Sequence, residues 1–151
     1  TNGAEPPPPF SGGFVFVDES SDRAEEMART WIGANYATVM RHYEFEAGPH
    51  EGVSGYEFYT NITKYLEKHG KQGAIDDFVN LMPWGTPQQV LDKVEHIREM
   101  IGTNAIMPAF SYGGMSYSDA EASLKLFAER CLPEINSWEV EPLLLPDRLA
   151  A

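Results

Sequence analysis

The stretch Ala105-Ile106-Met107-Pro108-Ala109-Phe110-Ser111-Tyr112-Gly113-Gly114 decides the fold. Its first six residues are apolar and predict a short buried strand, and Pro108 favours a bulge or a strand end within it. Two glycines follow as a turn. Beyond the turn, helical spacing is shown by Leu124, Phe127, Ala128 and Cys131. A strand, a glycine loop and a helix in that order are typical of parallel α/β structure.

The segments upstream extend this pattern. The aromatic and β-branched run Phe14-Val15-Phe16-Val17 predicts a second buried strand. Apolar residues at three- and four-residue spacing predict one long helix from Ala24 to Tyr43, and a short helix is predicted from Ala74 to Met82. Helix starts are predicted at four capping patterns, which are Asp22–Glu25, Ser54–Glu57, Thr86–Gln89 and Ser118–Glu121. Two parallel strands do not make a sheet that is covered on both faces, so we expect the chain to need further strands.

The sequence divides into three segments. Residues 1–13 contain four consecutive prolines and predict an arm or linker. Residues 14–135 hold the predicted strands and helices, and residues 136–151 are predicted to be a C-terminal tail. The 151 residues are the size of one domain.

Composition excludes several classes of function. The net charge is −12, so the surface repels nucleic-acid phosphates and anionic lipids, and we expect neither nucleic acid nor a membrane as a partner. Cys131 is the only cysteine, which excludes a disulfide framework within one chain. A single cysteine and the lack of a signal pattern at Thr1 predict a cytoplasmic protein.

Two groups of residues are candidates for chemistry. The first is the loop Ser111, Tyr112, Gly113 and Gly114, which links the end of a strand to the start of a helix, where α/β proteins bind ligands. Its alternative role is a tight turn only. The second is His42 with Tyr43, and three roles stay open for the imidazole: a metal ligand together with His50, a polar group in a substrate cavity, or a structural residue. No metal site is predicted.

Three motifs resemble one enzyme family. They are Trp84-Gly85-Thr86-Pro87-Gln88-Gln89-Val90, Phe110-Ser111-Tyr112-Gly113-Gly114-Met115, and Ala120 to Glu129 with Leu132-Pro133. In this order they are similar to the C-terminal end of the luciferase-like, flavin-dependent monooxygenases. The segments Arg41–Glu44 and Gly55–Tyr59 are similar to one branch of the family. The resemblance covers most of residues 12–135.

The resemblance implies the C-terminal part of a TIM (β/α)8 barrel, about the last two β/α units with extra helices. It implies a cytoplasmic oxidoreductase, often a homodimer, in which reduced FMN from a reductase reacts with O2 to oxidise a small organic substrate. Some relatives use the deazaflavin F420. On this mapping Ser111, Tyr112, Gly113 and Gly114 lie near the cofactor, and His42 and Tyr43 near the substrate.

The first six strands of such a barrel are missing from this sequence. In the family, most contacts to the flavin phosphate come from that part. We therefore expect an incomplete barrel that self-associates or joins a partner that supplies strands. The alternative is a non-catalytic α/β fragment, or a flavin-binding relative, that associates through apolar surface left by the absent strands.

Overall fold

The computed structural model describes residues 8–45 and 54–139 of the chain. In these ranges helices dominate and the short strands are parallel, so the fold is mixed α/β, as predicted. The strands are β1 Phe10–Phe14, β2 Phe16–Val17, β3 Trp84–Gly85 and β4 Ala105–Ala109. The α-helices are α1 Ser21–Met27, α2 Gly33–His42, α3 Glu57–Leu81, α4 Pro87–Ile101, α5 Tyr117–Arg130 and α6 Leu132–Ser137. A π-helical segment, Ala28–Ile32, joins α1 to α2.

Strands β1 and β2 form one extended run that changes its partner at Val15. β1 pairs in parallel with β4, with Phe10 opposite Ala105, and β2 pairs in parallel with β3. The N–H of Val15 donates to the carbonyl oxygen of Ala109 at 2.9 Å, so the first pairing extends to the residue where the second begins. The strand predicted at residues 14–17 lies inside this run. The run begins earlier, because β1 includes four residues of the predicted arm.

Pro108 occupies the penultimate position of β4, opposite Gly13. The register between β1 and β4 is unbroken, so the strand end foreseen for this proline is present and the bulge is not. In a parallel sheet, successive residues of a strand direct their backbone N–H and C=O groups alternately to the strand on one side and to the strand on the other. Because Ala109 bonds towards β1, the nitrogen of Pro108 faces the outer side of β4, where its missing N–H breaks no bond with β1.

The long helix predicted from Ala24 to Tyr43 is present as the continuous sequence α1, π-segment and α2. Its apolar stripe is buried at Ala24, Ala28, Ile32 and Met40. The capping residue was predicted wrongly, because Ser20 and not Asp22 caps α1. The π-segment was not predicted.

Helices α3 and α4 follow the sequence closely. Gly70 in α3 has a non-helical backbone that divides this helix, and the short helix predicted from Ala74 to Met82 is the second part of α3, which ends at Leu81. The capping box of α4 is confirmed: the hydroxyl of Thr86 accepts from the Gln89 N–H at 3.5 Å, and the Gln89 side chain accepts from the Thr86 N–H at 2.8 Å. Two other predicted caps are wrong, because α3 has Tyr56 at its cap and α5 has Ser116.

Two apolar clusters lie against the extended run. The first joins β2 to the inner face of α1, the π-segment, α3 and the start of α5, and its fully buried centre includes Phe16, Ile32 and Val79. The second lies between the run, α4, α5 and α6, and includes Val15, Val90, Val94, Phe127 and Cys131. Helices therefore cover the extended run on both sides near Val15.

The predicted tail at 136–151 lies partly within the fold, because α6 extends to Ser137 and Trp138 packs against the second cluster. Residues 1–7, 46–53 and 140–151 lie outside the described part.

Candidate functional site

The predicted cofactor residues lie in one turn at the carboxyl end of β4. We call residues Ser111–Gly114 the glycine loop. Gly113 and Gly114 have φ angles of 65° and 89°, in the left-handed region, and the Met115 N–H donates to the Tyr112 carbonyl oxygen at 3.1 Å to close the turn. Helix α5 begins three residues after Gly114, with the Ser116 hydroxyl accepting from the Asp119 N–H at 3.1 Å.

The glycine loop packs directly on the π-segment. A Cβ atom added to Gly113 would lie closer than 3.0 Å to the carbonyl oxygen of Trp31, and one added to Gly114 would lie 3.6 Å from the Trp31 ring. A side chain at Gly113 is therefore excluded by the nearby backbone of Trp31 as well as by the positive φ angle of Gly113. The glycine at 113 is explained by this close approach, whatever the loop binds. Ser111, Gly113 and Gly114 nevertheless keep an exposed surface.

Tyr112, also predicted near the cofactor, faces the core instead of solvent. Its residue is 8% exposed, its ring lies 4.9 Å from that of Phe14, and its hydroxyl donates to the carbonyl oxygen of Val15 at 3.0 Å. Burial raises the pKa of the phenol, so the hydroxyl stays a donor in the folded protein. The side chain of Tyr112 therefore acts as an internal support of the loop.

The predicted substrate residues His42 and Tyr43 lie at the end of α2. Both are exposed, and their rings meet edge to face with 5.2 Å between centroids. Tyr43 belongs to a group of packed rings, here called the aromatic cluster, whose other members are Phe45, Tyr56, Phe58 and Tyr59. His50, which the metal-ligand alternative for His42 would need as a second ligand, lies outside the described residues.

The structure does not bring the two predicted groups together. The glycine loop contacts Trp31, and His42 follows eleven residues later along the π-segment and α2. At about 1.5 Å per residue, that places the imidazole roughly 16 Å from the contact with the loop. One small ligand cannot touch both groups in this arrangement.

A polar cluster at the same end of the sheet was missed from the sequence. Asp18 directly follows β2, and Arg23 donates to Asp18 at 2.8 Å and to Asp119 at 2.7 Å. Asp119 also accepts from the Ser116 hydroxyl at 2.6 Å. A polar residue directly after a buried strand is a signal that would have found Asp18, but its partners are distant in sequence.

This polar cluster is electrostatically self-contained. Two carboxylates surround one guanidinium, and the hydrogen bond that Arg23 donates to Asp18 is the main cause that raises the pKa of Arg23. The ends of α1 and α5 are capped by their own serines. The cluster therefore carries net negative charge, which disfavours a phosphate at this edge.

No cluster of three or more His, Cys, Asp or Glu side chains within residues 8–45 and 54–139 is arranged to hold a metal ion. None of the helices in those ranges has both the length and the apolar composition needed to cross a membrane.

No protein-family model matches the chain, and no curated protein is significantly similar to it.

Proposed function

We propose that this chain is the C-terminal part of a luciferase-like, flavin-dependent monooxygenase and that the glycine loop forms one wall of its flavin-ring site. The observation that supports this most is the exposed turn at Gly113 and Gly114 between the carboxyl end of a parallel strand and a helix. Barrel enzymes place their active sites at that end of the strands. On this proposal the chain supplies the last two β/α units of an incomplete (β/α)8 barrel.

The residues of the glycine loop fit the edge of a flat ring. Gly113 and Gly114 keep an exposed backbone surface that a planar group can approach, and the exposed Ser111 hydroxyl adds a donor or acceptor. Bound FMN would supply the oxygen-activating redox chemistry. Trp31 and the buried Met115 support the loop from beneath and hold its geometry. The same wall fits the ring of F420.

The phosphate of the cofactor is assigned to strands outside this chain. Arg23 is held by Asp18 and Asp119, so its guanidinium is already neutralised by two carboxylates. This division agrees with the family resemblance, in which the phosphate contacts come from the part that this sequence lacks. His42 and Tyr43 are too far from the loop to contact the same ring, so we place them at most on an outer part of the substrate path.

A titration of the full chain with FMN tests the proposal. We expect saturable quenching of flavin fluorescence at one flavin per chain or per dimer, with sedimentation measured in parallel. Ser111→Trp would place a bulky ring on the wall and abolish saturation, whereas Ala122→Trp on the exposed face of α5 would leave it unchanged. A folded chain without saturable binding, or binding indifferent to Ser111→Trp, would overturn the proposal.

A second function, a non-catalytic α/β fragment that self-associates, is favoured by one observation. Phe10 and Met107 are 70% and 72% exposed. In the β1–β4 register Met107 lies opposite Gly12, two residues from Phe10, so both side chains lie on the same face of the strand pair. This face is apolar and is bounded by strand edges, which are features that drive association.

Sedimentation velocity over a range of protein concentrations tests this second function. We expect a concentration-dependent dimer that Met107→Lys dissociates, while Leu124→Lys, at an exposed apolar site on α5, leaves it intact. A chain that stays monomeric at high concentration and unfolds cooperatively would contradict self-association.

A further inference from the structure

We propose that a cavity at the amino ends of β1 and β4 binds a small organic carboxylate with an apolar body. The cavity lies at the opposite end of β4 from the glycine loop. Five strand residues at about 3.3 Å each separate the two ends, so they are roughly 16 Å apart. The inference therefore stands independently of the proposed flavin site.

The cavity has a volume of about 360 Å³ and is bounded by α4, α6 and the beginnings of the two strands. This volume lies at the lower end of the range that is typical of small-molecule sites. Its wall is mostly apolar, and the side chains that give it this character are Val94, Ile97, Ile106, Leu132, Ile135 and Trp138. A ligand with a hydrocarbon or aromatic body would therefore lose unfavourable contact with water on entering.

One side chain sets the charge of the ligand. Among the described residues that line the cavity, Arg98 is the only charged one. Its guanidinium lies 5.7 Å from the centre of the Trp138 ring and donates to the carbonyl oxygen of Glu139, and both of these are neutral groups. A guanidinium at the edge of an apolar cavity binds a carboxylate by paired, charge-assisted hydrogen bonds.

The other polar groups contribute less to binding. The Thr103 hydroxyl donates within the protein, with the carbonyl oxygens of Pro9 and Ala105 at 2.6 and 2.8 Å. Thr103 therefore joins the segment before β1 to the start of β4 and shapes the cavity wall. Ser11, Asn104 and Asn136 line the cavity without charge, so they tolerate a neutral part of the ligand but do not select an anion.

Octanoate is a suitable probe, and 1-octanol is its neutral match in length. Binding to the full chain is measured by changes in the NMR signals of the methyl groups of Ile106, Leu132 and Ile135. We expect saturable binding of octanoate at one site, with 1-octanol at least about tenfold weaker, because the charged hydrogen bonds are lost.

Variants locate the carboxylate. Arg98→Gln is expected to weaken octanoate binding by about tenfold and to leave 1-octanol binding unchanged. Arg41→Gln, at an exposed position of α2, is the matched control and should change neither. Equal affinity for the two probes, or octanoate binding that is unaffected by Arg98→Gln, would overturn the proposal.

The nearby C-terminal sequence provides the decisive comparison. Leu143, Leu144 and Leu145 follow Trp138 in the sequence, and their replacement tests whether the chain itself competes for the cavity. A variant with serine at these three positions should bind octanoate with the affinity of the original chain. Octanoate binding seen only in this variant would assign the cavity to the chain's own leucines and overturn the proposal, as would the absence of octanoate binding from both proteins.

Discussion

The hydroxyl of Tyr112 donates a hydrogen bond to the carbonyl oxygen of Val15, across 97 residues of sequence, with 3.0 Å between the oxygens. Val15 is the residue at which the extended run leaves β4 and joins β3. Its N–H bonds to Ala109, and its carbonyl group, which falls between the two ladders, is satisfied by the phenol. The tyrosine thus replaces a strand partner at a point where the sheet has none.

Tyr112→Phe is expected to lower the free energy of unfolding by about 1–3 kcal/mol, because it leaves a buried carbonyl oxygen without a donor while the ring is kept. Chemical denaturation followed by circular dichroism measures the change. Tyr117→Phe, at a residue that is 87% exposed, is the control and should stay within about 0.5 kcal/mol. Equal effects of the two substitutions would mean that the bond to Val15 contributes nothing.

Alanine substitutions at two glycines distinguish the effect of backbone conformation on stability from the effect of a close contact. Gly102 and Gly113 have nearly equal φ angles of 63° and 65°, but a Cβ at Gly102 meets nothing within 4 Å, whereas at Gly113 it meets the Trp31 carbonyl oxygen. Gly102→Ala is expected to destabilise by about 1–2 kcal/mol, the usual result of a left-handed alanine. Gly113→Ala should exceed it by about 1–3 kcal/mol through overpacking. Matching denaturation midpoints for the two variants would show that the contact with Trp31 is absent.

Ser123 joins α5 to β2. The buried Ser123 hydroxyl accepts from the Val17 N–H at 2.8 Å, a backbone donor at the end of its strand. Ser123→Ala is expected to destabilise the fold by about 1–3 kcal/mol, because a buried N–H loses its acceptor. Amide hydrogen exchange should also show faster exchange at Val17. The exposed Ser111 gives the control substitution Ser111→Ala, for which we expect no change in either measurement.

Lys93 gives a pH-dependent prediction. Its ammonium lies 4.1 Å from the centre of the Trp84 ring and donates to the Met82 carbonyl oxygen at 3.1 Å, contacts that favour the charged form. Burial, with a smaller contribution from Arg29, outweighs them and lowers the pKa from 10.5 to about 8. Between those pH values the unfolded chain binds the proton and the folded chain does not, so stability rises with pH across this window and falls as pH decreases through 8.

The variant Lys93→Met keeps the apolar stem and removes the charge. The free energy of unfolding of the original chain minus that of Lys93→Met should therefore increase as the pH rises from about 8 to 10.5. Lys125→Met, at an exposed lysine paired with Glu121, provides the comparison. A constant difference between the original chain and Lys93→Met across the window would contradict the lowered pKa.

Local sequence patterns predicted the elements whose causes are local. The Thr86 cap and its Gln89 partner lie three residues apart, and the α/β order was readable from apolar spacing alone. The cap of α5 was misplaced by two residues because both Ser116 and Ser118 suit the position, and only the turn before the helix decides between them. Strand β3 was missed because its two residues, Trp84 and Gly85, are too few to show an alternation of apolar and polar side chains.

The candidate site shows a different limit. The glycine loop was placed correctly at a strand end, but Tyr112 was predicted to face a ligand and instead faces Val15. Nothing near Tyr112 in sequence encodes that partner, since the unsatisfied carbonyl arises only when two ladders meet. The separation of His42 from the loop likewise depends on the helix length between them and on the contact of Gly113 with Trp31.

The change of partner at Val15 also determines when the strands can pair during synthesis. The stretch that includes β1 is synthesised before β4 and Tyr112, which complete its pairing and lie almost a hundred residues later. At about 5–20 residues per second, a ribosome needs roughly 5–20 s to produce them. Throughout that interval the nascent strand β1 has no partner in its own sheet, so we expect this segment to be accessible to chaperones during synthesis.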